Sequence, residues 1–193
     1  MKWRIVPRGA AGVIVAALAQ LLYGCASSGS GFVNPDVDFG YMRRAAVLPF
    51  ENLTQDDLAD ERMQSVFLME MLEAEVLDIV DPREAQSAML RLGLNPGAAL
   101  TAEQAVALGK ELQVDGLFFG VVEEYGQSRT DRRNGPEVTA VFGMTETETG
   151  SVVWRSQVHA TGMSFWKRLF GGGPSSLYAV SRDAVRRALG TLL

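Results

Sequence analysis

The stretch ALTAEQAVALGKELQVDGLFFGVVEEY, residues 99–125, joins a capped helix to a buried strand and decides the class of the fold. Thr101-Ala-Glu-Gln104 is a capping box. In it the threonine hydroxyl and the glutamine side chain each satisfy a backbone N–H left over at a helix start. Ala105, Leu108 and Leu112 then recur at helical spacing, so the helix runs through Leu112 with one apolar face. Asp115-Gly116 breaks it, and Leu117-Phe-Phe-Gly-Val-Val122 follows, apolar at consecutive positions. A half-covered strand alternates, whereas one that is apolar throughout is covered on both faces. The sheet therefore carries helices on both sides.

Upstream, Ala45-Ala-Val-Leu-Pro-Phe50 is a second short strand, ended by Pro49, which cannot donate to a ladder. Glu51-Asn52-Leu53-Thr54 turns the chain, and Asp56 or Asp57 can cap a helix to about Ala74. Met63, Val66, Phe67, Met71 and Ala74 form its inner face, with Asp60, Glu61, Gln64 and Glu73 outside. Met63, Met69 and Met71 read as core filler. Val76–Val80 is a further strand. Asp81-Pro82 starts a helix whose stripe is Ala85, Met89 and Leu92, with Gly93 as its cap.

Downstream, Gly126–Pro136 is polar and reads as a hairpin loop. Val138, Ala140, Phe142 and Met144 alternate with Thr139, Val141 and Thr145, as in a half-covered strand. Glu148-Thr149-Gly150 is a turn, and Ser151–Ala160 returns antiparallel. After the Gly162–Ser175 loop, Ser176 caps a last helix with Leu177, Val180, Ala184, Val185, Ala188 and Leu192 inward. The order is β-α-β-α-α-β-β-β-α. Right-handed crossovers make the first three strands parallel neighbours, and the hairpin extends the sheet antiparallel. The expectation is a single α/β domain over residues 41–193, a three-layer sandwich with a mixed sheet.

The amino terminus has a different character. Lys2, Arg4 and Arg8 precede an apolar run from Ala10 to Leu22, broken only by Gln20 and shorter than the ~20 residues of a membrane-spanning helix. Charged start, apolar middle and small Gly24 are the marks of a signal peptide over residues 1–24. Cys25, the only cysteine, follows directly. Leu22-Tyr23-Gly24-Cys25 resembles the lipobox of bacterial lipoproteins, Tyr23 departing from the usual small or aliphatic residue. That resemblance implies cleavage before Cys25 and a diacylated thiol, with palmitate-type chains each burying ~0.8 kcal/mol per CH₂. An ordinary signal peptide or an uncleaved anchor is the other reading. Residues 25–40, rich in Ser, Gly and Pro, read as a flexible tether of about 20 Å reach. Phe32, Val33 and Phe39 are unusual in a linker and point to an early edge strand. Ala26 after the cysteine implies, by the enterobacterial sorting rule, the outer membrane, facing the periplasm.

The net charge of −5 becomes more negative once Lys2, Arg4 and Arg8 are removed, a poor match for nucleic acid. With Cys25 acylated, no cysteine is left for a disulfide or a thiolate metal site.

Three stretches carry a further resemblance. AAVLPFEN at 45–52, the helix-strand unit at 99–125, and VFGMTETETGSVVW at 141–154 are similar to the CsgG, LpoB and TolB N-terminal-domain-like superfamily. The likeness covers roughly residues 40 to 190 and rests on structural motifs in order. In that group CsgG is an oligomeric secretion channel for curli, LpoB a lipoprotein activator of a peptidoglycan synthase, and the TolB domain a site of protein contacts. The resemblance implies a lipid-anchored, non-enzymatic binding, assembly or regulatory module with an envelope protein as partner. Its alternative is a subunit of a CsgG-like oligomeric secretion complex. CsgG builds its barrel from long hairpins inserted in such a domain. A transmembrane hairpin needs about 20 residues, more than Gly126–Glu137 or Gly162–Ser175 supplies, so no channel is expected.

No catalytic residue, cofactor or metal ligand is expected. His159 is the only histidine, with no partner set evident from spacing, and reads as structural. Glu123 and Glu124, as strand neighbours, should face opposite ways, and Asp56-Asp57 is explained by capping. Gly171-Gly-Gly-Pro174 lacks the Lys-Ser/Thr ending of a phosphate loop. Phe165, Trp166, Lys167, Arg168 and Phe170 stand out within one loop. Aromatics beside cations mark binding hot spots and membrane-interface contacts. The bland reading is that Phe165 and Phe170 fold back onto the core.

Overall fold

A computed structural model describes residues 30–128, 135–162, 173 and 175–192. The strand read first from the sequence, β5 (Gly116–Gln127), lies at the centre of the sheet. On one side it pairs in parallel with β2 (Arg44–Val47), and β2 pairs in parallel with β4 (Asp78–Ile79). On the other side β6 (Pro136–Glu146) and then β7 (Val152–Thr161) follow antiparallel. An edge strand, β1 (Ser30–Val33), closes the far side against β7. After Pro49 the chain resumes as β3 (Glu51–Asn52), which also pairs with β5. The sheet order is β1-β7-β6-β5-β2-β4, so the parallel and antiparallel halves fall as the crossover rule predicts. Asp115 fixes where the parallel pair of β2 and β5 starts: its carboxylate accepts from the backbone N–H groups of Arg43 and Arg44 at 2.7 and 3.0 Å.

Helices α1 (Ala59–Ala74) and α4 (Leu177–Leu189) cover one face, and α2 (Pro82–Arg91) and α3 (Ala102–Leu112) the other. Beneath α1, Phe67 sits 5.7 Å from Phe50 and 5.4 Å from Phe118 and Phe142, centroid to centroid, and Trp154 meets Phe118 edge-on. Beneath α2 and α3, Ala46, Leu48 and Leu117 pack on Ala85, Met89, Ala105, Leu108 and Leu112. This second core draws on β2 and β5 and on no residue of β6, β7 or β1. Among the described residues, the sandwich has three layers over the parallel half and two over the antiparallel half.

The expected caps are present. Thr101 and Gln104 exchange bonds of 3.3 and 2.9 Å, Asp81 accepts from Arg83 N at 2.8 Å, and Ser176 accepts from Ala179 N at 3.2 Å. Gly150 turns with φ +73°, and a Cβ there would fall 2.4 Å from the Ala102 carbonyl oxygen.

Several local expectations are corrected. Helix α1 has Leu58 at its N-cap with no side-chain bond, while Asp56 accepts from Leu58 N at 3.0 Å and pairs with Arg62 at 2.6 Å. Met69 is 50% exposed rather than core, because at 3.6 residues per turn it falls well off the Met63-Phe67-Met71 stripe. Ala74 is in phase with that stripe but exposed, since it closes the helix just before Glu75 turns left-handed. Leu92 is the exposed C-cap of α2, and its expected place in the core is taken by Leu94, whose N–H returns to Met89 O at 2.9 Å. Val76 is exposed, and the strand expected at Val76–Val80 is confined to Asp78–Ile79. Of the segment expected to be tether, Ser30–Val33 is the edge strand that Phe32 and Val33 signalled, and Phe39–Tyr41 is a 3-10 turn capped by Asp38. Glu70, inside the α1 stripe, is buried between Arg182 and Arg186 of α4.

Candidate functional site: the loop end and open face of the sheet

Register brings three chain segments to one end of the sheet. Strand β1 runs antiparallel to β7, with Ser30 opposite Gln157 and Val33 opposite Trp154. The chain therefore enters β1 from the end at which it leaves β7. There Gly162 N donates to Pro136 O at 2.7 Å, and Ser175 N donates to Gly162 O at 3.0 Å. The 163–174 segment thus begins and returns beside the start of β6, and Ser128 N to Gly135 O closes the base of the neighbouring hairpin. Cys25, Phe165, Trp166, Lys167, Arg168 and Phe170 lie outside the described residues, but the points where their segments join the fold are fixed. Five residues from Cys25 to Ser30 span at most about 17 Å. That matches the roughly 16 Å of strand from Gln157 to Gly162.

Just inside this end, a β-bulge between Val122 and Glu124 changes the direction of two carboxylates. Glu123 accepts from Gln157 Nε2 at 3.0 Å, and Glu124 accepts from Thr139 Oγ1 at 2.6 Å. Gln157 and His159 are two apart on β7, and His159 is opposite Thr139. Glu123 and Glu124 therefore reach the same face, contrary to the simple alternation, because the bulge inserts an extra residue. His159 also has partners: Nδ1 is 3.0 Å from Thr139 Oγ1 and Nε2 is 3.5 Å from Glu137 Oε1. Ligand atoms of Glu124, Glu137 and His159 all lie within 4.8 Å of one another. Sequence spacing held no sign of this set, which needs the hairpin register and the bulge together. A polar cleft of about 610 Å³ opens beside it, between Leu53–Asp56 and Glu123–Ser128.

Further from the loop end, the part of this face that no described helix covers has a different lining. Phe32, Arg155, Gly143 and Phe119 form one row across β1, β7, β6 and β5. The Phe119 ring lies over Gly143, where a Cβ would be 2.2 Å from the ring. Phe32 is exposed, and no acidic group among the described residues pairs with Arg155. A groove of about 310 Å³ runs from this row toward Leu48, Pro49, Met89 and Leu100. An apolar floor with one cation at its rim suits a contact with another macromolecule. No described helix is long and apolar enough to cross a membrane.

Solved structures share this fold. A PelC dodecamer from Paraburkholderia phytofirmans superposes with TM-score 0.59 at 18% identity, over 86% of this chain and 98% of that one. Lipoprotein GNA1162 from Neisseria meningitidis gives 0.56 at 17% identity, over 77% and 99%. The LpoB C-terminal domain from Salmonella enterica gives 0.47 at 15% identity, over 65% and 86%, a likeness too loose to build on. No protein-family model and no curated protein matches the chain. At such identities the likeness establishes the α/β fold.

Proposed function

We propose that the chain is a lipid-anchored, non-enzymatic binding or assembly module of the bacterial envelope. In this reading Cys25 holds it to the outer membrane on the periplasmic side, with the loop end against the lipid. The observation that carries this is the common end of the sheet: β1 begins, and the 163–174 segment leaves and returns, on the side where β7 ends. Aromatic and basic residues are favoured at a membrane interface, and Phe165-Trp166-Lys167-Arg168 falls within that segment. The Arg155 groove then stands roughly 20 Å from the membrane end along β7, free to meet a protein. Site-specific photocrosslinking in intact envelopes tests this. A crosslinker at position 155 should capture protein, and one at position 166 should capture lipid. Protein captured at 166 with nothing captured at 155 contradicts it.

A second reading, a subunit of a homo-oligomer serving secretion, is favoured by the dodecameric state of PelC, whose fold the chain shares. Light scattering of the detergent-solubilised mature protein separates the two. A mass many times that of the chain supports the second, and a monomer supports the first.

A further inference from the structure

We infer that Glu124, Glu137 and His159 form an open site for a divalent transition-metal ion of the zinc class. Each ligand stands on a different or offset position of three neighbouring strands: Glu124 on β5, Glu137 on β6 and His159 on β7. The ladder fixes their spacing, and their ligand atoms lie within 4.8 Å of one another, so that small side-chain rotations bring them to the ~2.0–2.2 Å bonds of one ion.

Thr139 settles which nitrogen faces the ion. Its hydroxyl donates to Glu124 Oε2 at 2.6 Å, and a hydroxyl has one proton. Toward His159 Nδ1, 3.0 Å away, it can only accept. Nδ1 therefore carries a proton toward Thr139, and Nε2 is the nitrogen that faces Glu137 Oε1, 3.5 Å away. A metal ion seated between Nε2 and Glu137 Oε1 takes the place of a proton on Nε2. A ligating histidine whose other nitrogen is held by a hydrogen-bond acceptor is the usual arrangement at metal sites. One imidazole with two carboxylates favours zinc over magnesium or calcium, which prefer all-oxygen sets. Three protein ligands leave a coordination position for water, and exposed Glu124 and His159 leave it open to solvent.

The test uses the full mature lipoprotein, purified without a polyhistidine tag, stripped with chelator and titrated with Zn²⁺ by calorimetry. Because His159 is the only histidine, its Nε2 resonance reports the site without ambiguity. One Zn²⁺ should bind per chain and move that resonance, while Ca²⁺ and Mg²⁺ should not compete. His159→Ala and Glu137→Gln should abolish binding. Thr139→Val should weaken it by about 10–100-fold, and Thr139→Ser should restore it. Metal-free melts of all four variants check that the fold is unchanged. An Nε2 resonance unmoved by Zn²⁺, as for an imidazolium simply paired with Glu137, overturns the proposal. So does binding that survives in folded His159→Ala.

Discussion

The backbone N–H of Gly162 donates to the carbonyl of Pro136 at 2.7 Å, tying the end of β7 to the start of β6 where two loops leave the sheet. A Cβ at 162 would lie 2.7 Å from Pro136 Cγ and 3.2 Å from the Ser175 carbonyl oxygen. Gly162→Val is expected to cost ~1–3 kcal/mol, the usual scale of overpacking. A thermal melt unchanged from that of the parent protein would show that the two strand ends are not in contact.

Glu70 makes a pH-dependent contribution. Burial alone would raise its carboxyl, but hydrogen bonds from Arg186 and Arg182, together with their charges, outweigh burial and hold it below the ordinary carboxylate range. A depressed folded-state value means stability is present above the unfolded carboxylate value and is lost as pH falls through the folded one. Denaturant melts between neutral and acid pH should therefore show a loss that Glu70→Gln reduces. At neutral pH that variant should cost ~1–3 kcal/mol, since it removes the charged acceptor of two arginines. Parallel stability curves for the two proteins would exclude Glu70 as the source.

Helix α1 offers an internal contrast. Phe67, fully buried among Phe50, Phe118 and Phe142, should cost ~3–5 kcal/mol when cut to alanine. Met69, half exposed two residues later, should change stability by no more than ~0.5 kcal/mol. Equal losses at the two positions would mean that the inner face of α1 is wrongly placed.

Much of this architecture was legible in the residues. Thr101 with Gln104, Asp81 with Pro82, and Ser176 each announce a helix start because capping is local chemistry. The consecutive apolar residues of Leu117–Val122 announce a covered strand, which holds for Leu117, Phe118 and Val122 but not for half-buried Phe119 and Val121, which line the open groove. What stayed hidden depends on contacts distant in sequence. Glu70 reads as a solvated acid until α4 brings Arg182 and Arg186 to it. Glu123 and Glu124 obey period-two alternation until the bulge, which no residue type there signals. Leu92 fits the α2 stripe, yet the helix ends at Arg91 and the turn hands its place to Leu94. Which half of the sheet the described helices leave uncovered is a matter of where α2 and α3 stop.

Cys25→Ala should leave an unprocessed, larger precursor that takes up no labelled palmitate. Product of normal size still labelled by palmitate in that variant would remove the lipid anchor from the account.

The seating of the loop end on lipid is tested most directly by fluorescence of the mature protein in vesicles containing nitroxide-labelled lipid. The mature chain carries two tryptophans, Trp154 and Trp166, and Trp154 is fully buried in the core. Quenching should be strong and should vanish in Trp166→Phe, with the thermal melt changed by no more than the ~0.5 kcal/mol of a surface substitution. Emission indifferent to the labelled lipid, or a melt lowered by the ~3–5 kcal/mol of a lost core aromatic, would contradict the membrane-seated orientation.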